Sequence, residues 1–170
     1  MRSQKPYTNA TFTRRHDHEA GRHRPSRAPT EPRVCEGCGA VYARRRWRRG
    51  EGLDVALVSW TSAVATRCPA CRKIAMDEPH GYVTVHGPFA EGERTAIERL
   101  LLNEAARVVA EHPLARIMRW EREVPDVLRV TTTTERLAQR LGHAVEKAFG
   151  GVVRYDFSHE NKQARVDWHR

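Results

Sequence analysis

Four cysteines constrain this chain more than any other feature. They are the only cysteines in 170 residues, and they fall in two pairs, Cys35-Glu36-Gly37-Cys38 and Cys68-Pro69-Ala70-Cys71. A C-x-x-C pair closes into a tight knuckle that aims two thiolates at one point, and two knuckles together suit a tetrahedral metal with sulfur about 2.3 Å away. The spacing predicts one structural Zn2+ on Cys35, Cys38, Cys68 and Cys71. Gly37 and Gly39 favour the first knuckle, which needs backbone with positive φ and N–H groups close to sulfur. Pro69 is expected to stiffen the second. A redox dithiol belongs on a helix N-terminus near a βαβ pattern, which the sequence does not suggest, and an iron–sulfur cluster is the remaining rival. A disulfide framework is the weaker reading, because residues 1–20 contain no apolar stretch of the kind a secretory signal needs. Four thiolates also leave no open position for a catalytic water.

Charge is distributed as unevenly as cysteine. The net charge is +9, and residues 1–50 hold 13 Lys and Arg against 4 Asp and Glu, so the first third of the chain carries the whole excess. Residues 1–30 contain Pro6, Pro25 and Pro29 with no apolar periodicity, which predicts a disordered basic tail. His16, His18 and His23 belong to it. Residues 31–78 are the zinc module, expected to be a zinc ribbon. Inside it lies Arg44-Arg45-Arg46-Trp47-Arg48-Arg49, five arginines around one indole. Guanidinium forks pair with phosphate in two-pronged fashion and an indole stacks on bases, so Arg44, Arg45, Arg46, Arg48 and Arg49 are candidate backbone grips and Trp47 a candidate stacking residue. The bland alternative is a solvated charged stretch in an arginine-rich composition. The apolar residues Leu53, Val55, Leu57, Val58 and Trp60 are expected to pack this finger.

Residues 79–170 carry the pattern of an α+β unit. Gly81 to Gly87 alternates as a strand. A helix runs from about Glu93 to His112, with Ile97, Leu101, Ala105 and Val108 on one face and Pro113 as its stop. Strands follow near Ile117–Glu123 and Val127–Thr131. A second helix is expected from Thr132, with Glu135 completing a capping box and Leu137, Leu141, Ala144 and Ala148 as its stripe. Gly150 and Gly151 stop it. Alternation at Val153, Tyr155 and Phe157 and at Ala164, Val166 and Trp168 predicts a closing hairpin that turns at Ser158–Lys162. The order β-α-β-β-α-β-β reads as a ferredoxin-like plait with one extra strand.

Several chemistries lack their motifs. None of Lys5, Lys73, Lys147 and Lys162 follows a glycine, so there is no phosphate-binding loop of the G-x-x-x-x-G-K type. H-E-x-x-H, G-x-S-x-G and the zinc-deaminase signature are absent as well. Glu121, Glu123 and Asp126 flank a hairpin and read as edge charges. His86, His112, His143 and His159 are scattered singly. The chain is not expected to be an enzyme. A mean hydropathy of -0.69 and the lack of a long apolar run argue against a membrane partner, and a cytoplasmic location is expected.

The two knuckles and the segment from Val130-Thr131-Thr132-Thr133-Thr134 through Glu135-Arg136-Leu137-Ala138-Gln139-Arg140-Leu141 carry a resemblance. With Ala148-Phe149-Gly150-Gly151 and the closing Arg165-Val166-Asp167-Trp168-His169-Arg170, they resemble the archaeal and eukaryotic nonsense-mediated-decay-three-like adaptors of the large ribosomal subunit, and short bacterial relatives of that build. The resemblance covers the knuckles and roughly the last quarter of the chain. It implies zinc on Cys35, Cys38, Cys68 and Cys71, places the family's threonine run on Thr131 to Thr134, and implies ribosome or RNA binding. The family's further β domains and export signals are not expected in these 170 residues, so the export role does not carry over. On the residues alone, the threonine run is a β-branched strand end leading into a helix cap; the alternative is a phosphate held at a helix N-terminus.

The expectation is therefore a zinc-binding, non-catalytic RNA-binding protein whose partner is RNA, in the first place ribosomal. The alternative is a zinc-stabilised protein–protein adaptor in which the arginines meet acidic protein surface.

Overall fold

The computed structural model describes residues 32–50, 63–88, 91–124, 126–158 and 163–170. The expected basic tail (1–30) and the apolar stretch Leu53–Trp60 lie outside them. The chain is α+β, and the described residues form two mixed sheets and three helices. No described helix is long and apolar enough to cross a membrane.

The smaller sheet is built from three-residue strands: β1 (Arg33–Cys35), β2 (Val41–Ala43), β3 (Arg46–Arg48) and β4 (Val64–Thr66), in the order β3-β2-β1-β4. Antiparallel pairing joins β1 to β2 and β2 to β3, whereas β4 returns parallel to β1. A short helix, α1 (Pro69–Ala75), follows at once. The long segment between the cysteine pairs thus supplies a hairpin and a return strand.

The larger sheet comprises β5 (Gly81–His86), β6 (Ile117–Val124), β7 (Val127–Thr132), β8 (Val152–Ser158) and β9 (Gln163–His169). Its order is β6-β7-β5-β9-β8, with β9 parallel to β5 and the other pairs antiparallel. Helices α2 (Glu91–Glu111) and α3 (Glu135–Phe149) complete the sequence β-α-β-β-α-β-β. The period-two alternation and the register agree. Val83 pairs with Val130 and Val166, and Val85 pairs with Leu128 and Trp168, so these six side chains share one face. All six are buried in one cluster with Ile97, Leu101, Ala105 and Val108 of α2 and with the inner face of α3. The indole N–H of buried Trp168 donates to Gly150 O at 2.7 Å, which satisfies the one polar atom it brings inside.

Two expectations for α3 need correction. Its N-cap is Thr134, whose hydroxyl accepts from Leu137 N, and not Thr132, because β7 continues through Thr132 and leaves no room for an earlier start. The buried face is Leu137, Ala138, Leu141, Gly142 and Val145; Ala144 is half-buried and Ala148 exposed. Gly142 causes this rotation. A Cβ there would run into Val166 Cγ1, so the missing side chain is what lets α3 settle onto β9.

Candidate metal centre and arginine hairpin

Each cysteine pair is placed by a different element. Cys35 ends β1, and the chain turns back through Gly39, whose φ of 69° is the left-handed backbone that glycine adopts at least cost. Cys35 N donates to Ala40 O at 2.7 Å and Gly39 N to Cys35 O at 2.8 Å, which closes the knuckle before β2. The second pair is no mirror image of the first. Cys68 is the N-cap of α1 and accepts from Cys71 N at 3.4 Å, with Pro69 in the first turn. Proline suits that position because its fixed φ is helical and its missing N–H would have had no helical partner. Pro69 therefore starts a helix where a second knuckle was expected.

All four cysteines are free thiols, and their sulfurs lie within 4.8 Å of one another. Cys38 Sγ and Cys68 Sγ are 3.7 Å apart. Sulfurs at the corners of a tetrahedron with 2.3 Å metal bonds would be separated by about 3.8 Å. The set can hold a metal ion, and the distances fit a tetrathiolate centre. A helix-capping cysteine alone would also suit a redox dithiol, but convergence of all four sulfurs is what a metal requires.

Backbone and side chain both supply positive potential here. Cys68 N donates to Cys35 Sγ at 3.2 Å. Burial opposes ionisation of Cys35, but the N–H groups of Cys68 and Gly37 and the neighbouring thiols outweigh it and bring this thiol down to about 7. Burial pushes the Cys71 thiol up to about 11 and the Cys68 thiol higher still. Arg116, from the α+β unit, places Nη1 3.8 Å from Cys71 Sγ. Burial works against its charge, yet the surrounding sulfurs of Cys38, Cys71 and Cys68 hold its pKa above the usual arginine value. Nothing in the linear sequence singles out Arg116, which lies 45 residues from Cys71.

Thr133 joins the two regions. Fully buried, it donates from Oγ1 to Leu114 O at 2.6 Å and receives Arg116 N at 2.8 Å. Its own N–H donates to Arg116 O at 2.9 Å, and its carbonyl receives Lys73 Nζ of α1 at 2.9 Å. Burial draws the Lys73 ammonium below its ordinary pKa, against the pull of Glu135 and Glu78. Thr132 Oγ1 donates to Thr134 O at 2.9 Å. The hydroxyls of Thr132, Thr133 and Thr134 are thus engaged within the protein, and the run caps and clamps. Leu114 packs directly on the cysteine cluster.

The arginines lie on the β2–β3 hairpin. Arg44 and Arg45 are its two-residue turn, at φ 51° and 60°, with Ala43 paired to Arg46 across it. Such turns normally take Asn-Gly, and each non-glycine residue held there costs about 1–2 kcal/mol. Arg46 and Arg48 are exposed on β3. Trp47, between them, is half-buried, packs on the cysteine cluster and lies 5.4 Å from the Tyr42 ring at a 54° tilt. The indole is consequently part of the small core as well as a surface group. A groove of about 890 Å³ separates this strand from the end of α2.

The face of the larger sheet opposite the helices carries Tyr82, His86, Arg165, Asp167 and His169. There the imidazoles of His86 and His169 stack at 4.3 Å, so His86 is not isolated as its position in the sequence suggested. His143 lies beside Glu146 at 3.7 Å, and His159 is outside the described residues.

Compared with models of known protein families, with curated proteins and with solved structures, the chain matches none.

Proposed function

We propose that this chain is a zinc-binding, non-catalytic RNA-binding protein that associates with ribosomal RNA. One observation carries the reading: five arginines ride on a hairpin whose other side, through Trp47, is packed on the four-cysteine centre. Guanidinium groups in fixed geometry lose less entropy on meeting phosphate than a mobile basic tail does. Two of them occupy left-handed backbone that favours glycine, a cost that a merely solvated turn has no reason to bear. Four thiolates in tetrahedral spacing suit zinc. The metal module is of ribbon type at its first knuckle and takes its second pair from α1. The α+β unit is a ferredoxin-like plait extended by β9, which sits parallel beside β5. Kinship with the nonsense-mediated-decay-three-like ribosomal adaptors is part of this reading, and so are the cytoplasm as its location and the lack of a catalytic role.

The test is co-sedimentation with ribosomes together with titration of ribosomal RNA fragments over a range of salt. Affinity should fall steeply with salt, and Arg46→Ala with Arg48→Ala should flatten the slope of log K against log salt by between one and two, since each phosphate contact contributes about 0.7–0.9. Affinity independent of salt, or an unchanged slope in the double variant, rejects the reading. A second reading is a protein–protein adaptor in which the arginines meet acidic protein surface, which predicts ribosome association that survives nuclease.

A further inference from the structure

The groove beside the arginine hairpin has walls of opposite character. One wall is β3, lined by Arg46, Trp47 and Arg48, with the Trp47 side chain on the strand face opposite the two exposed guanidiniums. The other is the end of α2, with Glu111 and the exposed imidazole of His112. The C-terminal end of a helix carries partial negative charge, and the last turn of α2 holds no basic side chain of its own, although Arg116 Nε donates to Pro113 O just beyond it. A polyphosphate backbone alone would be drawn to the first wall and repelled by the second. A nucleotide suits both: its phosphate meets the arginine forks, its base offers amino donors to the acidic wall, and its faces meet the indole and the imidazole. In a duplex the bases are stacked and paired inside, and only the phosphates would reach this cleft.

We infer that the groove between β3 and the end of α2 seats one unpaired nucleotide, so that the chain prefers single-stranded RNA, or a looped-out base, to duplex. This rests on the RNA-binding reading and adds to it the form of RNA that is recognised. His112, one of the histidines scattered singly along the chain, becomes a contact residue.

The experiment compares the zinc-loaded full chain on a short unstructured RNA oligonucleotide and on the duplex of the same sequence, by fluorescence anisotropy. The single strand should bind at least about tenfold more tightly, the order contributed by one base–aromatic stack. His112→Ala, at an exposed position, should remove most of that preference and leave duplex binding unchanged. Trp47→Phe keeps a ring against Tyr42 and should abolish the tryptophan quenching that accompanies single-strand binding. Equal affinity for both RNAs overturns the inference while leaving RNA binding intact, and so does quenching that persists in Trp47→Phe. Displacement of the single strand by polyglutamate as effectively as by duplex RNA also overturns it, since charge alone would then explain the binding. Failure of both RNAs to bind rejects the RNA-binding reading together with it.

Discussion

The cysteine module and the α+β unit reach order by different means. The α+β unit has strands of six to eight residues and two long helices around a continuous apolar cluster that includes Trp168, Ile97 and Leu101. The module has three-residue strands and a seven-residue helix, and among the described residues its cluster is Cys35, Ala40, Cys68 and Ala70. Burying so little apolar surface does not offset the entropy of ordering a chain. In the module the four sulfurs stand at the centre of that cluster, and a metal bound there would supply folding energy that the cluster does not. The α+β unit needs no such help.

The sharpest way to break the contrast is to remove one ligand. Cys38→Ser, or chelation of the metal, should unfold the module while the α+β unit keeps its near-ultraviolet signal from Trp168. Structural zinc contributes on the order of 10 kcal/mol in small modules. Loss of metal measured by colorimetric assay, with the α+β melting transition retained, is the expected result; a variant that keeps its metal and its hairpin disproves the four-cysteine centre. Metal uptake should also release protons near neutral pH, because burial holds the Cys68 and Cys71 thiols protonated there. Acidification must therefore weaken binding.

A smaller effect tests how far the two regions are separate. Thr133→Val removes the hydroxyl that serves Leu114 O and Arg116 N, leaving buried polar groups unsatisfied at a cost of about 1–3 kcal/mol. Calorimetry should then resolve two transitions closer to independence than in the parent chain. A single unchanged transition would mean that the joint carries little coupling.

The smallest effect isolates function from stability within the module. Replacing Arg44 by Asn and Arg45 by Gly relieves left-handed arginine backbone, and should stabilise the hairpin by about 1–2 kcal/mol while weakening RNA affinity. Greater stability with unchanged affinity would remove the turn from the proposed RNA contact.

Much of this was legible in sequence because it depends on local periodicity. The alternation at Val83 and Val85, Val153 to Phe157 and Ala164 to Trp168 placed the strands, and the stripe from Ile97 to Val108 placed the buried face of α2. Cysteine spacing brought the four thiols together, though it did not show that the second pair opens a helix. Local pattern failed where the deciding contact is tertiary. Ala148 counts as apolar by composition and points outward, whereas Gly142 counts for nothing and is where helix and sheet meet most closely. Arg116 and Lys73 acquire their contacts only through partners far along the chain, and no spacing rule connects them.

Thr133 also bears on the order in which the chain assembles. Its contact with Arg116 spans 17 residues, and its contact with Lys73 spans 60. Closing the shorter loop costs less entropy and needs only the β6–β7 hairpin, so the Thr133 carbonyl is in place before α1 has anything to dock against. The cysteine helix then arrives at a surface already made, with Arg116 held beside the spot where Cys71 will sit. A metal bound at the four cysteines would then be captured after this docking, and the Thr133→Val chain is expected to load it more slowly than the parent.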